Sequence, residues 1–327
     1  MDQITISISL ANYIHTVETA RSQNTARTYQ NGLTLFQDSL KAHAIDPEQT
    51  PVAELPEDAI TWFISDLKDF APTTERLYLT AATGYYEYLA AERLYEVNLP
   101  RIRLLIRQRA RRPGQRLPQF PSRAIETILT RLDELQPAAD EGEHLRNLRD
   151  RAFLLTLADT GLRVHEACNL RRGDIDWNEG RAMIIGKGNR QDVVRISQRS
   201  LQALRSYLQA RASLDGGSGR SLSALPVFAR HDRGAGAKIK PITTATGRNI
   251  VTERVRDILG EAAVGTITPH SFRHYFVTTV LKGSGNLKLA QELARHKNIA
   301  VTQRYAHLNN DELDAGYWEI FDQKDHQ

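Results

Sequence analysis

Seven arginines and no acidic residue fall between positions 101 and 116, namely Arg101, Arg103, Arg107, Arg109, Arg111, Arg112 and Arg116. A run this basic cannot enter a core, because an unpaired guanidinium is too costly to strip of water. It therefore lies along a surface, and the chain on either side must bury a core of its own. With 327 residues there is room for two. Asn98, Leu99 and Pro100 precede the run and Pro113, Gly114 and Pro118 close it, so the reading is a domain over 1–97, an exposed basic connector over 98–118 and a second domain over 119–327. The formal charge of +4 is mild, so the local clustering, not the total, points to a polyanionic partner. The bland alternative is a solvated tether with no partner.

The first domain reads as a helical bundle. Tyr29, Leu33, Phe36 and Leu40 fall at helical steps behind the capping candidates Asn24 and Thr25. Further stripes run through Ile60, Phe63, Ile64 and Leu67, and through Leu77, Ala81, Tyr85, Tyr88 and Leu89, with breaks at Pro51, Pro56 and Pro72. In the second domain the helical period returns at Ile125, Ile128, Leu129 and Leu132 and continues from Leu148 to Ala158, where Thr160 and Gly161 stop it. Two short β-type runs, 182–185 and 193–196, then bracket Gly186, Lys187, Gly188 and Asn189. Glycines there supply the positive φ of a hairpin turn, from which Lys187 would project. The glycine-rich stretch 215–220 reads as a surface loop. The fold class is mainly α (α+β): a helical bundle plus a mostly helical domain carrying a small antiparallel hairpin or sheet.

The second domain also holds a set of residues suited to one reaction. Cutting a phosphodiester with a side-chain hydroxyl needs a nucleophile, cationic donors for the phosphate oxygens and a proton for the departing sugar oxygen. Tyr305 is the candidate nucleophile. Arg163 and Arg273 are the candidate donors, since a planar fork grips two oxygens and keeps its charge. Lys187 on its hairpin is the candidate acid, and His270 and His296 add hydrogen bonds and proton transfer. Each residue alone is weak, because single arginines, histidines and tyrosines are mostly structural; order and spacing carry the signal.

Thr160-Gly161-Leu162-Arg163-Val164-His165-Glu166, Gly186-Lys187-Gly188, His270-Ser271-Phe272-Arg273-His274, Arg295-His296-Lys297 and Tyr305-Ala306-His307-Leu308 together resemble the tyrosine recombinase (phage integrase) family. The resemblance implies a site-specific recombinase that cleaves and rejoins double-stranded DNA through a 3′-phosphotyrosine, leaving a free 5′-hydroxyl. It implies that Arg163, Lys187, His270, Arg273 and His296 surround the scissile phosphate, and that Glu166 orients Arg163. One departure stands out: Ala294 and Arg295 precede His296 where relatives commonly carry Leu-Gly. The arginines Arg101, Arg103, Arg107, Arg109, Arg111 and Arg112 become candidate DNA contacts. The tail, with Leu313, Tyr317, Trp318, Ile320 and Phe321 on one apolar stripe, would dock on a neighbouring protomer of a tetramer formed on two DNA sites, or pack on its own domain.

No cofactor is expected. His270 and His274 lie four apart as in zinc hydrolases, but the residues between them offer no carboxylate for activating water. Gly186-Lys187-Gly188 lacks the spacing and the Ser or Thr of a phosphate loop. The single Cys168 excludes an intramolecular disulfide and reads as a small buried residue. Apolar runs are too short to span a bilayer, so a cytoplasmic, nucleoid-associated location is expected. The rivals are a type IB topoisomerase, which shares the chemistry, and a DNA-binding protein that no longer cuts.

Overall fold

The computed structural model describes residues 4–111, 122–186, 191–232, 234, 239–296, 298, 299, 302 and 303. The chain divides into two compact units, Met1–Arg116 and Leu117–Gln327.

The first unit packs α1 (Ile6–Ala20), α2 (Gln23–Ala42), α3 (Ala59–Asp66), α4 (Pro72–Ala91) and α5 (Leu99–Arg109) around one apolar core. Phe36 sits at its centre, with Phe63, Tyr85 and Tyr86 meeting it edge-on at 5.3, 6.3 and 6.1 Å. Burying each ring contributes roughly 1.5–3 kcal/mol, which is what holds helices of ordinary propensity together. The cap of α2 is Ser22, whose hydroxyl accepts from the Thr25 amide at 3.3 Å, two residues before the expected Asn24. On α4 the buried face runs through Leu79, Ala81, Ala82, Tyr85, Tyr86 and Leu89, while Leu77 of the expected stripe is exposed.

The connector expected from residue 98 is corrected over its first half. Asn98 caps α5 by accepting from the Arg101 amide at 3.0 Å, Pro100 opens the first turn, and Ile102 is buried with Leu105 and Ile106 against the bundle core. Arg103, Arg107 and Arg109 are exposed, as is Leu104, while Ile102, Leu105 and Ile106 pack on the core. Beyond the helix, Arg111 donates from its amide and Nε to the fully buried Glu75 carboxylate at 3.0 and 2.6 Å, and Lys68 reaches the same carboxylate at 2.8 Å. Lys68 also donates to the Arg109 carbonyl at 2.7 Å, fastening the end of α5 to α4.

In the second unit, α6 (Ser122–Asp133), α7 (Glu141–Thr160), α8 (Val164–Asn169), α9 (Gln198–Ala210), α11 (Thr244–Leu259) and α12 (Pro269–Ser284) contribute to a second core; the short α10 (Ala212–Gly216) follows α9, and α13 (Leu287–Ala294) packs with α12 in a smaller apolar cluster. Residues 152–158 of α7 are buried on every side, and α6, α8, α9 and α12 pack against this helix. A three-stranded antiparallel sheet follows α8, in the order β1 (Ile175–Asp176), β2 (Arg181–Ile185), β3 (Gln191–Arg195). The register pairs Arg181 with Arg195 and Ile185 with Gln191, so Ala182 and Ile184 face the core while Met183 and Ile185 face outward. The turn residues 187–190, including Lys187, lie outside the described residues. Cys168 is buried in α8, as its helix face suggested.

The buried Glu75 yields a stability test. Burial alone would raise its carboxyl, yet hydrogen bonds from Lys68 and Arg111 hold it below the ordinary carboxylate range. Its contribution is therefore present above that range and lost as pH falls through the lowered value. Urea unfolding of Glu75→Ala at pH 7 should show a loss of about 1–3 kcal/mol, the scale of hydrogen bonds to a charged group, because Lys68 and Arg111 lose their shared partner while staying partly hydrated. A change within about 0.5 kcal/mol, as expected of an ordinary surface substitution, would contradict this.

Candidate active site

The site is built where α7 stops. Gly161 caps α7 in the left-handed region at φ 60°, and a Cβ there would lie 2.5 Å from the Phe276 ring. Only glycine permits both the turn and the approach of α12. Two residues later Arg163 caps α8, and the Glu166 side chain folds back to accept from the Arg163 amide at 2.8 Å. The other Glu166 oxygen accepts from Arg163 Nη1 at 2.8 Å. The carboxylate has no exposure, whereas the Arg163 side chain is 42% exposed. Glu166 thus fixes the guanidinium from below and leaves its other face open.

Pro269 opens α12, and the Thr268 amide donates to the Ser271 hydroxyl at 3.1 Å. That start places His270, Arg273 and His274 on the first turns. Arg273 is buried and donates to the carbonyls of Gly161 and Ala294, so the guanidinium ties the end of α7 to the end of α13. His270 and His274 meet with ring centroids 4.0 Å apart. After α13, Arg295 adopts a left-handed conformation at φ 56° and His296 follows, its Nδ1 2.8 Å from the Thr302 hydroxyl. The His296 carbonyl accepts from Gln291 at 3.0 Å.

Charge in this cluster is one-sided. Burial first, then the Arg273 and Arg163 guanidiniums, lower the pKa of His270. The same causes, with His270 and Arg295 added, lower His296 to about 4. Burial, then His270, Arg273 and His296, lower His274 to about 4. These imidazoles are neutral at pH 7 and can accept as well as donate a proton. Glu166 is pushed up by burial but drawn below the ordinary range by hydrogen bonds from Arg295 and Arg163. Among the described residues no cluster of His, Cys, Asp and Glu gathers in a metal-holding arrangement.

A model of the phage integrase family matches residues 125–312, which span this cluster. The chain belongs to that family. Among tyrosine recombinases, it is 35% identical to Tyrosine recombinase XerC of Pelobacter propionicus over 175 residues, 54% of this chain and 51% of that relative. It is 29% identical to Tyrosine recombinase XerC of Thermodesulfovibrio yellowstonii over 292 residues, 88% and 87% of the two chains. The fold is similar to the crystal structure of the XerH site-specific recombinase bound to palindromic difH substrate in a post-cleavage complex. There the TM-score is 0.66 at 18% identity, with 90% of this chain and 79% of that one covered.

Of the residues picked out by the phage integrase resemblance, Arg163, Glu166, His270, Arg273 and His296 come together in the second unit. Lys187, Tyr305, Arg112 and the tail residues Leu313, Tyr317, Trp318 and Phe321 lie outside the described residues. The α5 arginines are not equivalent. Arg101 pairs with Glu57 and Asp58 at 2.7 and 3.1 Å, and Arg103 with Glu87 at 2.6 Å, between exposed partners. Such pairs are worth only about 0.2–1 kcal/mol and can be exchanged for phosphate. Arg107 and Arg109 are exposed. Arg111 pairs with the buried Glu75 and keeps 37% of its side chain exposed. The site residue that sequence reasoning missed is Arg295, whose Nη2 donates to Glu166 at 2.8 Å. Its signal was the departure before His296.

The lowered histidines give a pH test. Because their folded pKa values lie below 6.5, the unfolded chain binds more protons between pH 6.5 and 4, and stability should fall as pH drops through that window. Nitrogen-15 NMR should find the His274 and His296 rings neutral at pH 6 and titrating near 4. Midpoints above 6 would contradict the one-sided field.

Proposed function

We propose that the second unit cuts and rejoins DNA by transesterification onto Tyr305. The chain is a site-specific DNA recombinase of the tyrosine type. The observation that carries the mechanism is the closeness of the Arg163 and buried Arg273 guanidiniums to His270 and His296 in one cationic cluster that is open at Arg163. Such a surface holds a phosphodiester and stabilises the extra charge of its pentacoordinate transition state.

In the proposed reaction the phenolic oxygen of Tyr305 attacks phosphorus and the bond to the 5′ oxygen breaks. A 3′-phosphotyrosine forms, and Lys187 gives its proton to the departing 5′ oxygen. Arg163 and Arg273 bind the nonbridging oxygens. A neutral imidazole, His270 or His296, accepts the proton from Tyr305. Glu166 orients Arg163. One phosphoester replaces another, so an incoming 5′-hydroxyl can reverse the step without an external energy source, and no cofactor enters the scheme.

The first unit is proposed as the core-binding domain, with Arg101, Arg103, Arg107, Arg109 and Arg112 on DNA phosphates. Double-stranded DNA is the substrate, and recombination proceeds in a tetramer on two sites, with Leu313, Tyr317, Trp318 and Phe321 of one tail docking on a neighbour. No helix among the described residues is long and apolar enough to cross a membrane. A cytoplasmic location at the nucleoid follows from the substrate.

A duplex selected from a random-sequence pool by binding, nicked near the protected centre and incubated in EDTA, supplies the test. After denaturation, wild type should retain covalently attached DNA and Tyr305→Phe should not; adducts with both would refute the nucleophile. Arg163→Lys should bind that duplex within a few-fold of wild type yet lose about 10²–10³ in cleavage rate, as expected when a transition-state donor is removed. Equal losses in binding and rate would reduce Arg163 to a phosphate anchor.

A further inference from the structure

Arg295 has three features that its position does not require. Its backbone is left-handed, a conformation that L side chains disfavour and glycine accepts freely. Its side chain is only 10% exposed although it carries a full charge. Its Nε and Nη1 have no hydrogen-bond partner among the described residues. An arginine kept under backbone strain, buried and partly unsatisfied needs a compensating interaction.

Two such interactions are visible, and they lead to different parts of the site. Nη2 donates to Glu166 Oε2, the same oxygen that accepts from the Arg163 amide. Nη1 stands 4.0 Å from Asp192 Oδ2 on β3. Asp192 is paired across the sheet with Ile184 and comes five positions after Lys187 in the chain. Arg295 itself immediately precedes His296. One guanidinium therefore touches the clamp under Arg163, faces Asp192 on β3, and is joined through the backbone to His296.

We propose that Arg295 is a positioning residue, holding Glu166 in place beneath Arg163 and anchoring the β2–β3 hairpin to the same frame through Asp192. This rests on the recombinase reading above. Without Arg295, Glu166 would keep only its bonds to Arg163 at the start of its own helix, and the link to the end of α13 would be lost. With Arg295 present, Glu166 is gripped from its own helix and from α13, so Arg163 cannot drift without dragging the segment that carries His296. The charged groups facing Glu166 are Arg163 on its own element and Arg295 on α13.

The test uses the full chain on the nicked duplex described above. Arg295→Met keeps bulk and removes charge, and should lower the rate of adduct formation about 10–100-fold, the cost of misplacing a reacting group by about an ångström. Its DNA dissociation constant should stay within about threefold of wild type. Arg295→Lys should recover part of the rate, since it restores charge without the fork. Asp192→Asn should lose a few-fold by itself and nothing further in the Arg295→Met background, because both act through one link. Wild-type cleavage rates in Arg295→Met overturn the positioning role, as does a rate loss matched by an equal loss of binding. Additive losses in the double variant overturn the hairpin arm. A wild type that forms no adduct overturns the recombinase reading itself, and with it this proposal.

Discussion

A single carboxylate without solvent exposure, that of Glu166, organises the cationic side of this molecule. It accepts from Arg163 twice and from Arg295 once, and those bonds outweigh the burial that would otherwise neutralise it. Removing either arginine would leave the Glu166 carboxylate, which has no exposure, with fewer donors, and that is costly for a buried charge. The clamp exists only because α8 begins at Arg163. That start is set by the left-handed Gly161, whose missing Cβ lets Phe276 and α12 close in. Local backbone chemistry at one glycine thus determines where two guanidiniums and two imidazoles meet.

The arginines divide by the company they keep. Arg211 has no exposure and donates to Asp215, to the Tyr207 hydroxyl and to the carbonyls of Pro226 and Val227; it is a structural strut. Arg111 is another, through Glu75. Arg163 spends one nitrogen on Glu166 and keeps an open face. Counting basic residues therefore overstates the groups free for phosphate. Exposed pairs such as Arg103–Glu87 exchange readily, whereas a buried carboxylate such as Glu75 or Glu166 holds its arginine in place.

Much of this was legible in the sequence, for identifiable reasons. The hairpin was readable because alternating residues flank glycines, and the strands fall at Arg181–Ile185 and Gln191–Arg195, within two residues of the expected runs. The end of α7 was readable from Thr160-Gly161. What escaped depended on partners distant in sequence. The stripe of Ile102, Leu105 and Ile106 was hidden by the arginines between them, so α5 read as a connector. Strand β1 has two residues, too few for any period. Asp215, placed in a loop by its glycines, is buried because Arg211 and Arg172 claim it. Arg295 was visible as a departure before His296, but its link to a carboxylate 129 residues away was not.

The central claim is that a phenolic oxygen near the end of the chain is the atom that takes the phosphate held by Arg163 and Arg273. Mass spectrometry of the adduct, after nuclease trimming and proteolysis, reads that atom directly. The account predicts a residual nucleotide on the peptide containing Tyr305, with fragment ions that assign it to that residue. A nucleotide carried by Tyr317, or by any serine or histidine, would contradict it.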